Sequence, residues 1–469
     1  MMTKTDNKTG FWNFVDGLKG DKVVWMIALM LILISIVAVF SSTPLLAIQQ
    51  HTTRMAIVSE QMLMAGIGLG IIIICYNIKN IAFYRAMSSI GFFISLVLLL
   101  MLVTHFHAGS IRAVMINSAW RVISIFGFQV HVFEVVKVAM VMYLAWAVDA
   151  YGNDDFKLIN RLGRNPKLAF LNKNETKKIL FIYLPIFIVC VCILEGSTSS
   201  ALFIGGILFL TIIIGGIRVK EIILPGIFIF ILLLGCIAVN KVSDGKVFPH
   251  MTSSINRITK NTDYYIGKLK ESERGTAEFQ DCLDKVIQPA SAKIAIHEGG
   301  FTGKGPGKST QRYVVPVMFE DYMFSFIVEE YGILGAVIVI LLYGSLLARG
   351  SIIARNCSNH FAKTAVAGLV MLITCQAAMH MLINVDLGPL TGQTLPMISH
   401  GNSSFLAFCI AFGIILSISR MASDKVRKET DAAKPLVDAH DEVTARLDDL
   451  DDFESNSGLA QEEKDWKNN

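Results

Sequence analysis

VVWMIALMLILISIVAVF, residues 23–40, runs for eighteen residues without a charge. About 18 apolar residues are enough to carry a helix across the hydrocarbon core of a bilayer. The run is too long for a removable signal peptide and has no small-residue cleavage site after it, so it reads as a retained anchor. Similar runs follow at about 56–76, 87–103, 132–148, 179–194, 201–217, 222–239, 326–347, 362–385 and 403–418. The expected fold is an all-α polytopic membrane protein of about ten transmembrane helices.

Composition agrees. Of 469 residues, 53% are hydrophobic and only 17% charged, against roughly 25% charged in an ordinary soluble protein. Mean hydropathy is +0.54. A chain this long and apolar cannot cover its surface with polar groups in water. Collagen-like, disordered, disulfide-scaffold and DNA-binding readings are excluded, and no nucleic-acid partner is expected. Eight cysteines are present, seven of them in apolar segments or in a loop placed in the cytoplasm. Cys282 alone falls in a long outer loop, so no disulfide framework is expected.

Charge sets the orientation. After Arg420 the chain holds 14 acidic and 7 basic residues, which leaves the rest at +11 within a total of +4. Lysine and arginine gather before the first span, between spans four and five (Lys157 to Lys178), between six and seven, between eight and nine, and after the last. Short basic loops stay in the cytoplasm, and an even number of spans puts all of these on one side. Residues 1–22 are then a cytoplasmic segment, 23–419 the membrane domain, and 420–469 an acidic cytoplasmic tail expected to be disordered. The segment 240–320 is one long extracytoplasmic loop between helices 7 and 8.

Ionisable groups inside apolar spans are costly and need a reason. Glu134 and Lys137 stand three apart, on one helix face and near the outer end of span four; an ion pair that fixes packing and a substrate role are both open. Asp321, beside Glu320, lies at the outer start of span eight. A carboxylate at such a boundary can serve as a general base or simply favour the helix N-terminus. Glu329 and Glu330 sit about 12 Å deeper and are expected to make interhelical contacts.

GGFTGKGPGKSTQR, residues 299–312, imitates the end of a phosphate-binding loop. The position five before Gly307 is Thr302, however, where that motif needs glycine. What remains is a glycine-rich loop whose backbone N–H groups, with Lys304, Lys308 and Arg312, could hold an anion such as pyrophosphate, or a flexible solvated loop. In GPLTGQTLPMISHGNSSFL, residues 388–406, Pro389 and Pro396 with Gly392 and Gly401 preclude simple helix. Such backbone is tolerated at membrane depth only under protein or beside water. Ser399, His400, Asn402, Ser403 and Ser404 offer hydrogen bonds there. The ten histidines show no ligand spacing, and no metal site is expected. All these features map to the outer face by topology, as suits a lipid-linked anionic substrate.

In these same blocks the chain resembles the SEDS family, the FtsW, RodA and SpoVE group, over nearly the whole membrane body. FQVHVFEVVK resembles FQPSExxK at Phe128, Gln129, Glu134 and Lys137, with Pro-Ser lost and a short insertion. INSAWRVISI resembles NGAxRWI at Arg121. GGFTGKGPGKSTQR resembles GGxxGxGxGNSxQK, matching at Ser309 and Gln311 among others. FEDYMFSFIVEEYGILG resembles HTDFIFAxxxEELGxxG at Asp321, Phe324, Glu329, Glu330 and Gly332, and LTGQTLPMISHGNSSFL resembles VTGxTLPFxSYGGSSLL. His400 replaces the usual Tyr, Asn402 a Gly and Lys308 an Asn, and the segment at Glu195 resembles the PDLGTALV block only loosely.

The resemblance implies a peptidoglycan glycosyltransferase. It would polymerise lipid II at the outer face of the bacterial inner membrane, transferring glycan from undecaprenyl pyrophosphate to the next GlcNAc 4-hydroxyl. Asp321 is the implied catalytic base. Glu134, Lys137, Arg121, Lys304, Ser309, Gln311, Ser399, Ser403 and Ser404 are the implied substrate-binding residues. Lys137, Arg121 and Lys304 are candidates to stabilise the leaving pyrophosphate, and a divalent cation such as Mg2+ is the one cofactor left open. The implied partner is a class B penicillin-binding transpeptidase, with other divisome proteins. The basic N-terminus and long tail favour the division type, at the septum, over an elongation-type polymerase. The competing class is a lipid II flippase, with Glu134, Lys137 and Arg85 along its path; a third is a non-catalytic scaffold.

Overall fold

Asp21 opens the first long helix. Its carboxylate accepts the backbone N–H groups of Val23 and Val24 at 2.9 and 3.2 Å, satisfying two of the donors a helix start leaves unpaired. In this computed structural model, residues 19–116, 119–223, 225–227, 235, 262–315, 317–388 and 392–425 are described. The helices are α1 (Lys22–Ser42), α2 (Pro44–Gln49), α3 (Arg54–Asn77), α4 (Ile81–Val103), α5 (Val132–Gly152), α6 (Lys157–Leu162) and α7 (Asn174–Gly196). Then come α8 (Thr198–Ile214), α9 (Thr262–Glu271), α10 (Ala277–Gly299), α11 (Met323–Asn356), α12 (His360–Asn384) and α13 (Asn402–Lys425).

Among the described residues, seven helices are long and apolar enough to cross a membrane: α1, α3, α4, α7, α11, α12 and α13. Helix α8 is apolar but shorter. Helix α5 carries Glu134, Lys137 and Asp149, and it is buried along most of its length. The expected span at 222–239 lies mostly outside the described residues, as do most of the N-terminal segment and the acidic tail; α13 itself continues to Lys425. Of the expected outer loop, α9, α10 and the stretch leading to α11 are described.

Helices α12 and α13 form the centre. Helix α12 packs against α5, α8 and α11, while α1 bridges α3 and α11 and α4 lies against α5 and α7. Glycines allow the closest approaches: a Cβ on Gly413 of α13 would stand 2.6 Å from Cys75 of α3, and one on Gly68 of α3 would stand 2.6 Å from Phe405 of α13. Lipid-facing positions fall on α3, α4 and α11, where Leu63, Phe93 and Leu341 are exposed.

The helical reading did not foresee four strands between α4 and α5. These are β1 (His107–Ala108), β2 (Ile111–Ile116), β3 (Ala119–Ile125) and β4 (Phe128–His131), an antiparallel meander in chain order. IRAVMI and AWRVISI are rich in β-branched residues, which suit a pleated, half-buried surface. Phe126 and Gly127, both at positive φ, make the two-residue hairpin turn that joins β3 to β4.

At the far end of the bundle the basic loop residues meet acidic partners. Arg349 pairs with Asp21 at 2.6 Å, Arg85 with Asp149 and Asp155 at 3.2 and 3.0 Å, and Lys177 with Asp154 at 2.6 Å.

Candidate active site

Gly332 interrupts α11 with φ 67° and ψ −165°, a conformation essentially confined to glycine. The glycine-rich loop fits into this break. The N–H groups of Lys304 and Gly305 donate to the carbonyls of Glu329 and Glu330 at 2.9 Å each, and Ile333 N–H donates to Gly300 O at 3.0 Å. The loop then closes around two fully buried carboxylates. Glu329 accepts from Lys304 Nζ at 2.7 Å, Ser309 Oγ at 2.5 Å and Thr310 N–H at 2.8 Å. Glu330 accepts from Ser41 Oγ at 2.6 Å and Gly307 N–H at 3.0 Å, with Arg312 at 3.7 Å. Burial alone would lower the pKa of Lys304, but its bonds to Glu298 and Glu329 outweigh that and hold it above the ordinary value.

A second network runs through α12. Lys137 Nζ donates to Glu134 Oε1 at 2.6 Å and to the side-chain oxygens of Gln376 and Gln393 at 2.8 Å each. Three acceptors match the three ammonium hydrogens. Gln376 Nε2 reaches Thr394 O at 3.1 Å, and Gln393 Nε2 reaches Ser200 Oγ at 3.1 Å. His380 takes the N–H of Phe324 on Nε2 at 3.3 Å, so the proton sits on Nδ1 and points to Gln393 O at 2.7 Å. Asn384 donates to Asp321 O at 3.0 Å.

These networks surround a cleft. Arg121 of β3, His131 at the end of β4 and Glu134 of α5 line one side. Glu320 and Asp321, from the turn before α11, line the other, with Gly392, His400 and Ser404 between. The cleft thus holds three carboxylates. Burial lowers the pKa of both histidines below the usual value; for His131 the charge of Glu134 opposes this and that of Arg121 adds to it. Gly392, at φ +60°, lies against the Asp321 carboxylate: a Cβ there would stand 3.6 Å from Oδ2, an ordinary contact distance. Among the described residues no three His, Cys, Asp or Glu side chains converge as a metal site.

Of the residues singled out by sequence, Asp321, Glu134, Arg121 and Ser404 line the cleft together. Lys137 lies beneath it, holding Glu134. Lys304, Ser309 and the N–H of Gln311 are engaged with Glu329 in the loop lock. Ser399 and Ser403 bind backbone, Ser399 Oγ donating to Glu320 O at 2.7 Å and Ser403 Oγ accepting His131 N–H at 2.9 Å. Sequence reasoning missed Gln376, His380 and Asn384. Their spacing of four in the apolar segment TCQAAMHMLIN marks one polar helix face, and that was the available signal.

Beside the cleft lies an apolar groove between α4, α5, β4 and α13, lined by Met87, Phe128, Val138, Met142, Leu406 and Ile410. Adjacent residues divide the two, Ser403 facing the groove and Ser404 the cleft.

The chain was compared with known proteins. "Probable peptidoglycan glycosyltransferase FtsW" of Hahella chejuensis is 34% identical over 171 residues, 36% of this chain and 43% of that relative. "Stage V sporulation protein E" of Bacillus subtilis is 32% identical over 143 residues, 30% and 39% of the two chains. These matches span about two-fifths of the relatives' lengths. An FtsW of Geobacter metallireducens with the same description as the first is 24% identical over 400 residues, 85% of this chain and 94% of its own. Two solved structures share the fold at 18% identity and cover 86% of this chain and 98% of theirs. One is from a study of the structural coordination of polymerization and crosslinking by a peptidoglycan synthase complex (TM-score 0.53), the other the rod shape determining protein RodA of Thermus thermophilus (TM-score 0.52). A family model described as cell cycle protein matches residues 21–424. That match begins at the residue capping α1, stops one short of the end of α13 and takes in every element that builds the cleft: the chain belongs to the FtsW/RodA/SpoVE family.

Proposed function

We propose that this multi-pass membrane protein is a peptidoglycan glycosyltransferase that polymerises lipid II. The observation that carries the reading is Asp321, its carboxylate facing a polar cleft that adjoins an apolar groove. A lipid-linked sugar pyrophosphate needs both, the groove for its isoprenoid chain and the cleft for its head. The names of the relatives support the same activity.

In the proposed reaction Asp321 takes the proton of the acceptor GlcNAc 4-hydroxyl. The freed oxygen attacks C1 of the donor sugar from the face opposite the leaving group. The C1–O bond breaks, its electron pair departs with undecaprenyl pyrophosphate, and a β-1,4 bond forms with inversion. Arg121, which lines the cleft, would stabilise the departing charge. Glu134, held by Lys137, shapes the cleft wall, and the loop lock around Glu329 and Glu330 fixes the start of α11. The cleft would open at the outer face of the bacterial inner membrane. The partner proposed is a class B penicillin-binding transpeptidase, within septal wall synthesis and among divisome proteins. Arg85 pairs with two aspartates at the far end of the bundle, which weighs against a flippase path through it.

The test is polymerisation of purified lipid II by the protein co-purified with its transpeptidase, wild type against Asp321→Asn, with thermal melting of both. Polymer from wild type and none from a folded variant is the expected result. Equal polymer from both removes Asp321 as base. No polymer from either, with lipid II crossing liposomes, would establish the flippase instead.

A further inference from the structure

Phe319, Glu320 and Asp321 have their three consecutive backbone carbonyls held by three different residues. His400 N–H donates to Phe319 O at 2.9 Å, Ser399 Oγ to Glu320 O at 2.7 Å, and Asn384 Nδ2 to Asp321 O at 3.0 Å. Within the turn, the N–H groups of Glu320 and Asp321 both donate to Val317 O at 3.1 Å. The backbone under both carboxylates is therefore fixed, and both line the same cleft. One carboxylate suffices to take a proton from a hydroxyl. The second has no part in the reaction as written.

We propose that Glu320 works beside Asp321 as a neutral carboxylic acid, its O–H donating a hydrogen bond to the departing pyrophosphate. The inference rests on the glycosyltransferase reading. An ionised Glu320 would bring a third negative charge, with Asp321 and Glu134, to a cleft that must receive an anion. A protonated one supplies a donor where negative charge develops. The other groups facing it are Arg121 from β3, His131 from β4, Glu134 from α5 and His400 from the loop before α13. Neither histidine contributes a cation at neutral pH, because burial depresses both. Burial, with the charge of Asp321 adding to it, pushes Glu320 up to about 8. The HTDFIFA motif that FEDYMFS resembles has threonine at this position, also a hydroxyl donor. During transfer the proton stays on Glu320; the acceptor's proton goes to Asp321 and the electron pair leaves with the pyrophosphate.

The experiment is the pH dependence of lipid II polymerisation from pH 6 to 9.5, by the full chain with its transpeptidase, for wild type, Glu320→Gln, Glu320→Ala and Asp321→Asn. The amide keeps a donor and cannot ionise. Glu320→Gln is expected to stay within about threefold of wild type at pH 7 and to lose the fall in rate that wild type shows near pH 8, while Glu320→Ala loses about tenfold or more throughout. Thermal melting confirms folding of each variant. A Gln variant as impaired as the Ala variant overturns the proposal, and so does a wild-type alkaline limb that Gln leaves in place. In either case an inactive Asp321→Asn leaves the glycosyltransferase reading standing. An active one removes Asp321 as base, whatever Glu320 does.

Discussion

Asn384 links the carbonyl of Asp321 to the start of α11. Its Nδ2 donates to Asp321 O at 3.0 Å, and its Oδ1 accepts both the N–H and the hydroxyl of Ser325 at 2.9 Å. One buried amide on α12 thus holds the carbonyl of Asp321, two residues before the helix, and satisfies an N–H in its first turn. Asn384→Ala should destabilise the fold by about 1–3 kcal/mol, the usual penalty for leaving buried polar groups unpaired. Asn384→Asp retains the acceptor for Ser325 but loses the donors to Asp321 and His380 and buries a carboxylate, so it should lower the melting temperature at least as far as Asn384→Ala does, and turnover with it. Equal retention of activity in both variants would show that the carbonyl needs no such support.

Lys137 and Glu134 form a pair whose worth depends on both members being present. The Lys137 side chain is 1% exposed and that of Glu134 12%. Removing one partner of a buried pair typically costs about 3–5 kcal/mol, because the other charge is left without compensation. Lys137→Met should therefore unfold at much lower temperature than wild type, and adding Glu134→Gln should recover a good part of the loss. A double-mutant cycle on melting temperatures checks this. Additive effects would mean that Gln376 and Gln393, not Glu134, are what Lys137 holds in place.

Gly332 and Gly344 lie on one helix and should answer oppositely to the same substitution. A Cβ on Gly332 would stand 2.3 Å from Phe301 O and 2.5 Å from Gly303 N, at φ +67°, whereas one on Gly344 meets nothing within 4 Å. Gly332→Ala should cost more than about 3 kcal/mol through strain and backbone clash, expel the loop at 299–305 from the helix break and expose it to proteases. Gly344→Ala should be neutral or gain up to about 1 kcal/mol. Limited proteolysis with melting curves separates the two.

How much of this was legible depended on whether the signal was local. Apolar runs showed the spans because a membrane helix satisfies its own backbone within one segment. Glu134 with Lys137, and Asp321 at its boundary, stood out because charge beside lipid is expensive wherever the rest of the chain lies. The roles of Lys304 and Ser309 were not legible. A glycine-rich basic loop offers the same N–H groups to a phosphate as to Glu329 and Glu330, and only the break at Gly332 reveals which anion occupies it. Gln376, His380 and Asn384 were passed over because neutral polar groups in an apolar run raise less alarm than charges. The small sheet was missed because IRAVMI and AWRVISI sit beside apolar helices and the hairpin turn from β3 to β4 is Phe-Gly instead of Asn-Gly.

Glu320 also makes stability depend on pH, independently of any reaction. Its folded-state pKa is raised to about 8 from an ordinary 4.5, so the folded state binds this proton more tightly than the unfolded chain does. Below the unfolded value both states are protonated and the contribution to stability is complete. As pH rises from about 4.5 to 8 the unfolded chain loses its proton first, and stability declines; above 8 the decline from this group ends. Glu320→Gln removes the titration. The difference in melting temperature between variant and wild type should therefore shift in favour of the variant from pH 5 to pH 8 and stay level beyond. Melting curves in one detergent at four pH values are enough, and a difference that stays flat throughout would place Glu320 in contact with water and take away the physical basis for its neutral form.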